Sequence, residues 1–292
     1  MITLERTSAG DLETRLIRAL ATRSVAVPTT DRDDVHIQTA VATSWRRTSE
    51  AAGDVEEALA DLRTKFRAGE TFQPRALQVA MKRFIYEAAE TFELYGKRLG
   101  FRLSLGRSKP DLAYIKHYLE TAKRLGAPTA IVCNHMKHKD RELNTGVFVS
   151  ERTGDTAVVY RVTAQYAEGQ ASDRAIHKDG PVTSYSKSLH EILHRLLRVD
   201  HAAGEVIIRL SENSPAGVTS ASSTLGLARA IEKLATAPLS LASSESTQFD
   251  GLEIQRETIT LARIGGQRVS EPTRRTMSST VDPVSRSIQL MI

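Results

Sequence analysis

The sequence predicts an α+β fold that is mainly helical, a bundle of helices followed by a smaller mixed part. Two observations carry this. Apolar residues recur at helical spacing through most of residues 54–143. From Asn144 onward, short β-branched runs bracketed by Gly and Asp take over, GVFVS at 146–150 and TAVVYRVTA at 156–164. The expected organisation is a helical bundle domain over 1–145 and an α+β domain over 146–292. The Ser/Thr/Arg-rich tail from Gly265 reads as partly disordered.

In chain order, Leu12, Leu16 and Leu20 predict a short helix over 11–23. VAVPTTDRDD reads as a loop, and Val35 to Arg47 as helix. Asp54 and Glu57 have capping-box spacing. Val55, Leu59, Leu62 and Phe66 then share one helix face, and Gly69 ends it. A longer helix follows from Pro74 to Tyr95, with Gly96 and Gly100 expected to break it. Pro110 opens the next helix, with Gly126 as its stop. Pro128 opens another. After the hairpin at 146–164, residues 165–183 read as loop, 184–203 as helix, and EVIIRL (205–210) as a strand. A helix over 225–234 and one long strand over 251–264 complete the pattern.

Composition narrows the class. Hydrophobic residues are 40% and charged residues 26%, as in ordinary soluble proteins. No apolar run approaches the roughly 18 residues a membrane span needs, and the N-terminal stretch lacks a signal-peptide core. The expectation is a cytoplasmic protein without a membrane partner. Cys133 is the only cysteine, which excludes an internal disulfide and a multi-cysteine zinc site. It reads as a buried, inert thiol. The net charge of +5 is spread out. Its densest patches, Lys97 to Lys109 and Lys137 to Arg141, read as solvated helix ends.

HEILH (190–194) has zinc-hydrolase spacing. His190 and His194 lie one turn apart, with Glu191 placed as general base. The third ligand is missing. His201 shares the face but lies more than about 15 Å along a continuous helix from His190. Asp200 and Leu197 occupy the positions where one zinc-protease pattern needs His and Gly. The bland reading is an amphipathic helix burying Leu189, Ile192, Leu193 and Leu196, with the histidines on its polar flank. No metal and no cofactor is expected.

CNHMKH, within 133–143, points elsewhere. Cys133, Asn134, Lys137 and His138 form a CN-x-x-KH segment after two or three longer helices. A short β element and a helix with a serine-rich start, SYSKSLHEILHRLL (184–197), come next. This resembles the HEPN-like helical-domain proteins of bacteria, over roughly residues 75–203. The resemblance implies a helical bundle and a nucleotide- or RNA-binding role in a toxin–antitoxin or phage-defence setting. Nuclease members use an Arg, four to six residues, then His on a helix at a dimer interface, which implies a homodimer. Here the Arg positions hold Ile131, Val132 and Cys133 for His138, or Pro128, Thr129 and Ala130 for His135. The nearest upstream Arg is Arg124.

The leading expectation is therefore a non-catalytic binder of nucleotide or RNA. The alternatives are a structural or assembly protein, a ribonuclease using His138 and Asn134, and a zinc hydrolase on HEILH. Lys137, Arg141 and His135 are the expected ligand-binding residues. Asn134 and His138 should face other helices or a narrow groove, with Lys137 and Arg141 nearer solvent.

Overall fold

The computed structural model describes residues 2–4, 14–22, 36–138, 141–149, 156–167, 169–178, 182–211, 227–237, 239–242, 245, 248–255, 258–265 and 267–269. A strand β1 (Ile2–Leu4) and a short helix α1 (Arg15–Thr22) precede α2 (Ile37–Arg67) and α3 (Arg75–Glu93). α3 continues through a π-helical stretch (Leu94–Leu99) into α4 (Gly100–Ser104), and α5 (Lys109–His138) follows. Then come β2 (Glu142–Val149), β3 (Thr156–Tyr166), β4 (Gly169–Ser172), β5 (Thr183–Ser184) and α6 (Tyr185–Leu210). α7 (Leu227–Thr236), β6 (Ser240–Ala242), β7 (Gln248–Gln255), β8 (Thr258–Gly265) and β9 (Gln267–Val269) complete the described elements.

The long helices α2, α3, α5 and α6 alternate in direction. Thr48 hydrogen-bonds Thr91 while Asp54 pairs with Arg83, so α2 and α3 run opposite ways. Lys137 lies over the Tyr86 ring while Gly126 faces Phe92, which sets α5 against α3. Trp45 bonds Asp200 and Arg63 bonds Ser186, which sets α6 against α2. The Ser184 hydroxyl accepts from the Lys187 N–H and caps the start of α6.

One apolar cluster runs from Leu16 to Leu261, with Trp45, Phe84, Tyr95, Tyr118 and Tyr185 fully enclosed. Each large apolar side chain so enclosed contributes about 1.5–3 kcal/mol. The elements before and after residue 145 share this core, and α6 is the helix that joins them. β3 pairs with β2 on one side and with β4 and β5 on the other, all antiparallel. β1, β8 and β7 form a second antiparallel sheet, and β6 pairs parallel with β9.

Several sequence expectations need correction. The helix expected to start at Asp54 begins at Ile37 and runs on unbroken. Gly126 and Pro128 do not divide α5. Gly126 is buried where an added Cβ would lie 3.0 Å from the Phe92 ring, so it serves close packing. Gly96 and Gly100 do not stop α3; the chain stays helical there, with the wider π geometry. EVIIRL is the last part of α6, because Ala203, Val206 and Ile207 continue its buried face at helical spacing. The single strand at 251–264 is a hairpin with Gln255 opposite Thr258. The expected loop at 165–183 holds the end of β3 and all of β4. Residues 212–226 and the tail from Ser270 lie outside the described residues. No described helix is long and apolar enough to cross a membrane.

Two buried carboxyl groups sit in the bundle. Asp200 on α6 accepts from the Thr14 hydroxyl (2.9 Å), the Leu16 N–H (3.1 Å), the Trp45 indole (3.0 Å) and the Tyr95 hydroxyl (2.9 Å). These donors come from the start of α1, from α2 and from the π-helical stretch. Burial pushes the Asp200 carboxyl up, and the four donors oppose it. Close to this hub, Gly204 lets α1 approach; a Cβ there would lie 2.8 Å from the Arg15 carbonyl. Glu56 on α2 is also buried, but its Oε1 has no hydrogen-bond partner. Burial pushes its carboxyl up to about 7, against the pull of Arg63 and Lys233.

Candidate binding cleft

A cleft of about 490 Å³ opens between α5, α6 and the segment from β4 to β5. That is the size of a small-molecule site. α5 supplies Arg124, Pro128 and Ile131, and α6 supplies Lys187, Ser188, Glu191 and Arg195. Tyr160, His177, Lys178, Thr183 and Glu245 close the third side.

Helix geometry places these groups. On α6, Lys187, Glu191 and Arg195 are spaced i, i+4, so they form one row. The row faces away from Leu189, Leu193 and Leu196, which are fully buried. Glu191 receives a hydrogen bond from Arg195 at 3.1 Å and has the Lys187 ammonium at 3.9 Å. On α5, Pro128 has no N–H to give the Arg124 carbonyl, so one ladder bond is missing at the cleft wall. Beside it, the Thr129 hydroxyl is buried without a hydrogen-bond partner.

The third side is rigidly bonded. The Val162 N–H donates to His177 Nε2 at 2.7 Å, leaving Nδ1 to donate to Thr183 at 3.3 Å. Burial lowers the His177 imidazole to about 4, so it is neutral at pH 7. The Tyr160 hydroxyl pairs with Ser188 at 2.8 Å, and burial lifts it to about 12. Glu245 accepts from the Ser184 and Ala242 N–H groups, and burial raises its carboxyl. Among the described residues, the cleft lining thus carries four cations against two carboxylates. Arg124 and Lys178 are exposed and form no ion pair among the described residues.

The residues singled out in CNHMKH do not line this cleft. Asn134 and His138 are exposed on α5, contrary to the expectation that they face helices or a groove. Lys137 is exposed as expected, and its ammonium lies 4.8 Å from the centre of the Tyr86 ring. Cys133 is buried, and its thiol is raised by desolvation. Ile131 is 38% exposed at the cleft. His135 Nδ1 sits 2.7 Å from Asp173, and Arg141 lies 3.3 Å from the same carboxylate. Asp173 also accepts from the Ala175 N–H. His135 and Arg141 therefore staple the end of α5 to the turn after β4. Their contacts hold Asp173 below the usual carboxylate range, against its desolvation.

HEILH is divided by the helix. His190 and His194 are buried, not on a polar flank. His190 accepts from the Leu252 N–H, hydrogen-bonds the Leu234 backbone and meets the Phe249 ring edge-on at 5.7 Å. Desolvation lowers both imidazoles to about 4. Glu191 points into the cleft and pairs with cations. The two histidines and the carboxylate do not converge, and no metal-sized group of His, Cys, Asp or Glu occurs among the described residues.

Sequence reasoning missed Lys178, His177 and Glu245, which only the fold brings beside α5 and α6. It also missed the Lys187, Glu191, Arg195 row, which the i, i+4 spacing opposite the leucines could have shown. Comparison with protein-family models, with curated proteins and with solved structures gives no significant match for this chain.

Proposed function

We propose that this is a non-catalytic, HEPN-like binding protein that takes a phosphate-bearing small molecule of nucleotide size in the α5–α6 cleft. The observation that carries the reading is the cationic lining, with Arg124 and Lys178 exposed in it and in no ion pair among the described residues. Cations in a partly enclosed cleft attract anions strongly, because the low-dielectric walls reduce screening. The apolar wall at Ile131 and Ile192 and the Tyr160 ring offer surface for a heterocycle. The order of elements supports the HEPN-like part: long helices, a hairpin, then a helix with a serine-rich start. Non-catalytic binding is favoured because His177 has both nitrogens engaged and the Tyr160 hydroxyl holds its proton.

Calorimetric titration with AMP, ADP, ATP and inorganic phosphate tests the reading. Binding of at least one nucleotide is expected, weakened about tenfold or more by Arg124→Ala with Lys178→Ala, and weakened by added salt. No heat and no thermal stabilisation with any of the four overturns it. Product formation during the titration would turn the protein into an enzyme.

A further inference from the structure

We infer that Glu191 acts as a resident anion in the cleft and restricts its ligands to those ending in a dianionic phosphate. This rests on the cleft being the nucleotide site.

The Glu191 carboxylate already lies between two cations of its own helix, Arg195 at 3.1 Å and Lys187 at 3.9 Å. All three side chains are about three-quarters buried or more, at 23%, 26% and 16% exposure. A ligand anion must therefore share or take over these cations, and must do so beside a like charge in partly desolvated surroundings. A monoanion exchanges one charge for another and gains little. A phosphate monoester carries close to two charges at pH 7 and three acceptor oxygens. It can take over the contacts that Glu191 now holds with Arg195 and Lys187, in a lining that also carries Arg124 and Lys178, neither of which is in an ion pair among the described residues. Nucleotides with a terminal phosphate meet this condition. Phosphodiesters, whether cyclic nucleotides or the backbone of RNA, carry one charge per phosphate and do not. The carboxylate that HEILH offered as a catalytic base is here a selectivity element.

The test compares AMP, cyclic AMP and a short oligoribonucleotide lacking terminal phosphates. Each is titrated into the full-length protein and into Glu191→Gln. For the unaltered protein, AMP should bind at least about tenfold tighter than the two diesters, and should weaken as pH falls below the phosphate's second pKa of about 6. Glu191→Gln keeps the side-chain shape and removes the charge. It should bind cyclic AMP about tenfold or more tighter than the unaltered protein does. If the unaltered protein binds AMP and both diesters equally, the inference is overturned while the nucleotide reading stands. The same follows if Glu191→Gln weakens AMP, since the carboxylate would then be a direct ligand contact. Should the variant not fold, the ligand ranking and its pH dependence in the unaltered protein still decide. If nothing binds, both readings fall.

Discussion

Asp200 and Glu56 are buried carboxyl groups in the same helical bundle; burial raises both, but they differ in the hydrogen bonds they receive. Asp200 receives four donors from three separate parts of the chain. Glu56 has an oxygen without a partner, and Arg63, whose charge pulls on it, gives a hydrogen bond to Ser186. Depth of burial alone does not say whether a charged group stabilises a fold. The number of donors that arrive with it decides.

The largest effect should come from removing the satisfied group. Asp200→Ala leaves the Trp45 indole, the Tyr95 and Thr14 hydroxyls and the Leu16 N–H without their acceptor. A loss of at least about 3 kcal/mol is expected in urea denaturation, since each stranded buried donor costs about 1–3 kcal/mol. A loss below about 1 kcal/mol would show that the four bonds count for little, and the comparison would break.

Glu56→Gln should act in the other direction. The folded-state pKa is raised from 4.5 to about 7. The folded protein therefore holds this proton more tightly than the unfolded chain. Its contribution is fully present below about pH 4.5 and is lost as pH rises toward 7. At pH 8 the ionised group costs on the order of 3 kcal/mol, which glutamine should largely recover. At pH 4 the variant should match the unaltered protein. Equal stability of the two at pH 8 would mean that Glu56 is well served by Arg63 after all.

Three desolvated histidines sharpen the contrast by titrating with the opposite sign. His177, His190 and His194 are lowered from 6.5 to about 4 by desolvation. Their contribution is present above pH 6.5 and is lost as pH falls toward 4. Replacing His190 with Asn, a neutral residue that can still accept from Leu252, should flatten the acid limb of the melting curve without moving the alkaline limb.

The smallest effect is expected at the cleft wall. Thr129→Val removes a hydroxyl with no partner, so stability should stay level or rise by up to about 1 kcal/mol. A clear loss in thermal melting would show that the hydroxyl is engaged.

These residues also show what was legible in the sequence. The buried stripe of α6 was readable from Leu189, Ile192, Leu193 and Leu196 alone, because helical periodicity is local. The hairpin at 142–166 was readable from its β-branched runs. The length of α5 was not. Pro128 reads as a helix start, yet tertiary packing of Gly126 on Phe92 carries the helix through it. Val206 and Ile207 have strand-like propensity, and the α6 core face overrides it. The hub at Asp200 was invisible for a different reason: its donors at Thr14, Trp45 and Tyr95 are set by topology, not by spacing. The cleft was half legible. Its α6 row follows from i, i+4 spacing, whereas Lys178 and Glu245 arrive through the sheet.

The pairing of α1 and β1 with late parts of the chain has a consequence for how the molecule assembles. The Leu16 N–H reaches Asp200 across 184 residues, and Ile2 pairs with Leu261. During synthesis at about 5–20 residues per second, these early segments lack their α6 and β8 partners for roughly ten seconds or longer. Leu16, Ile17 and Leu20, fully buried in the finished protein, cannot complete their burial before α6 is made. The bundle of α2, α3 and α5 can gather before then. The docking of α1 is a late step, limited by the arrival of α6.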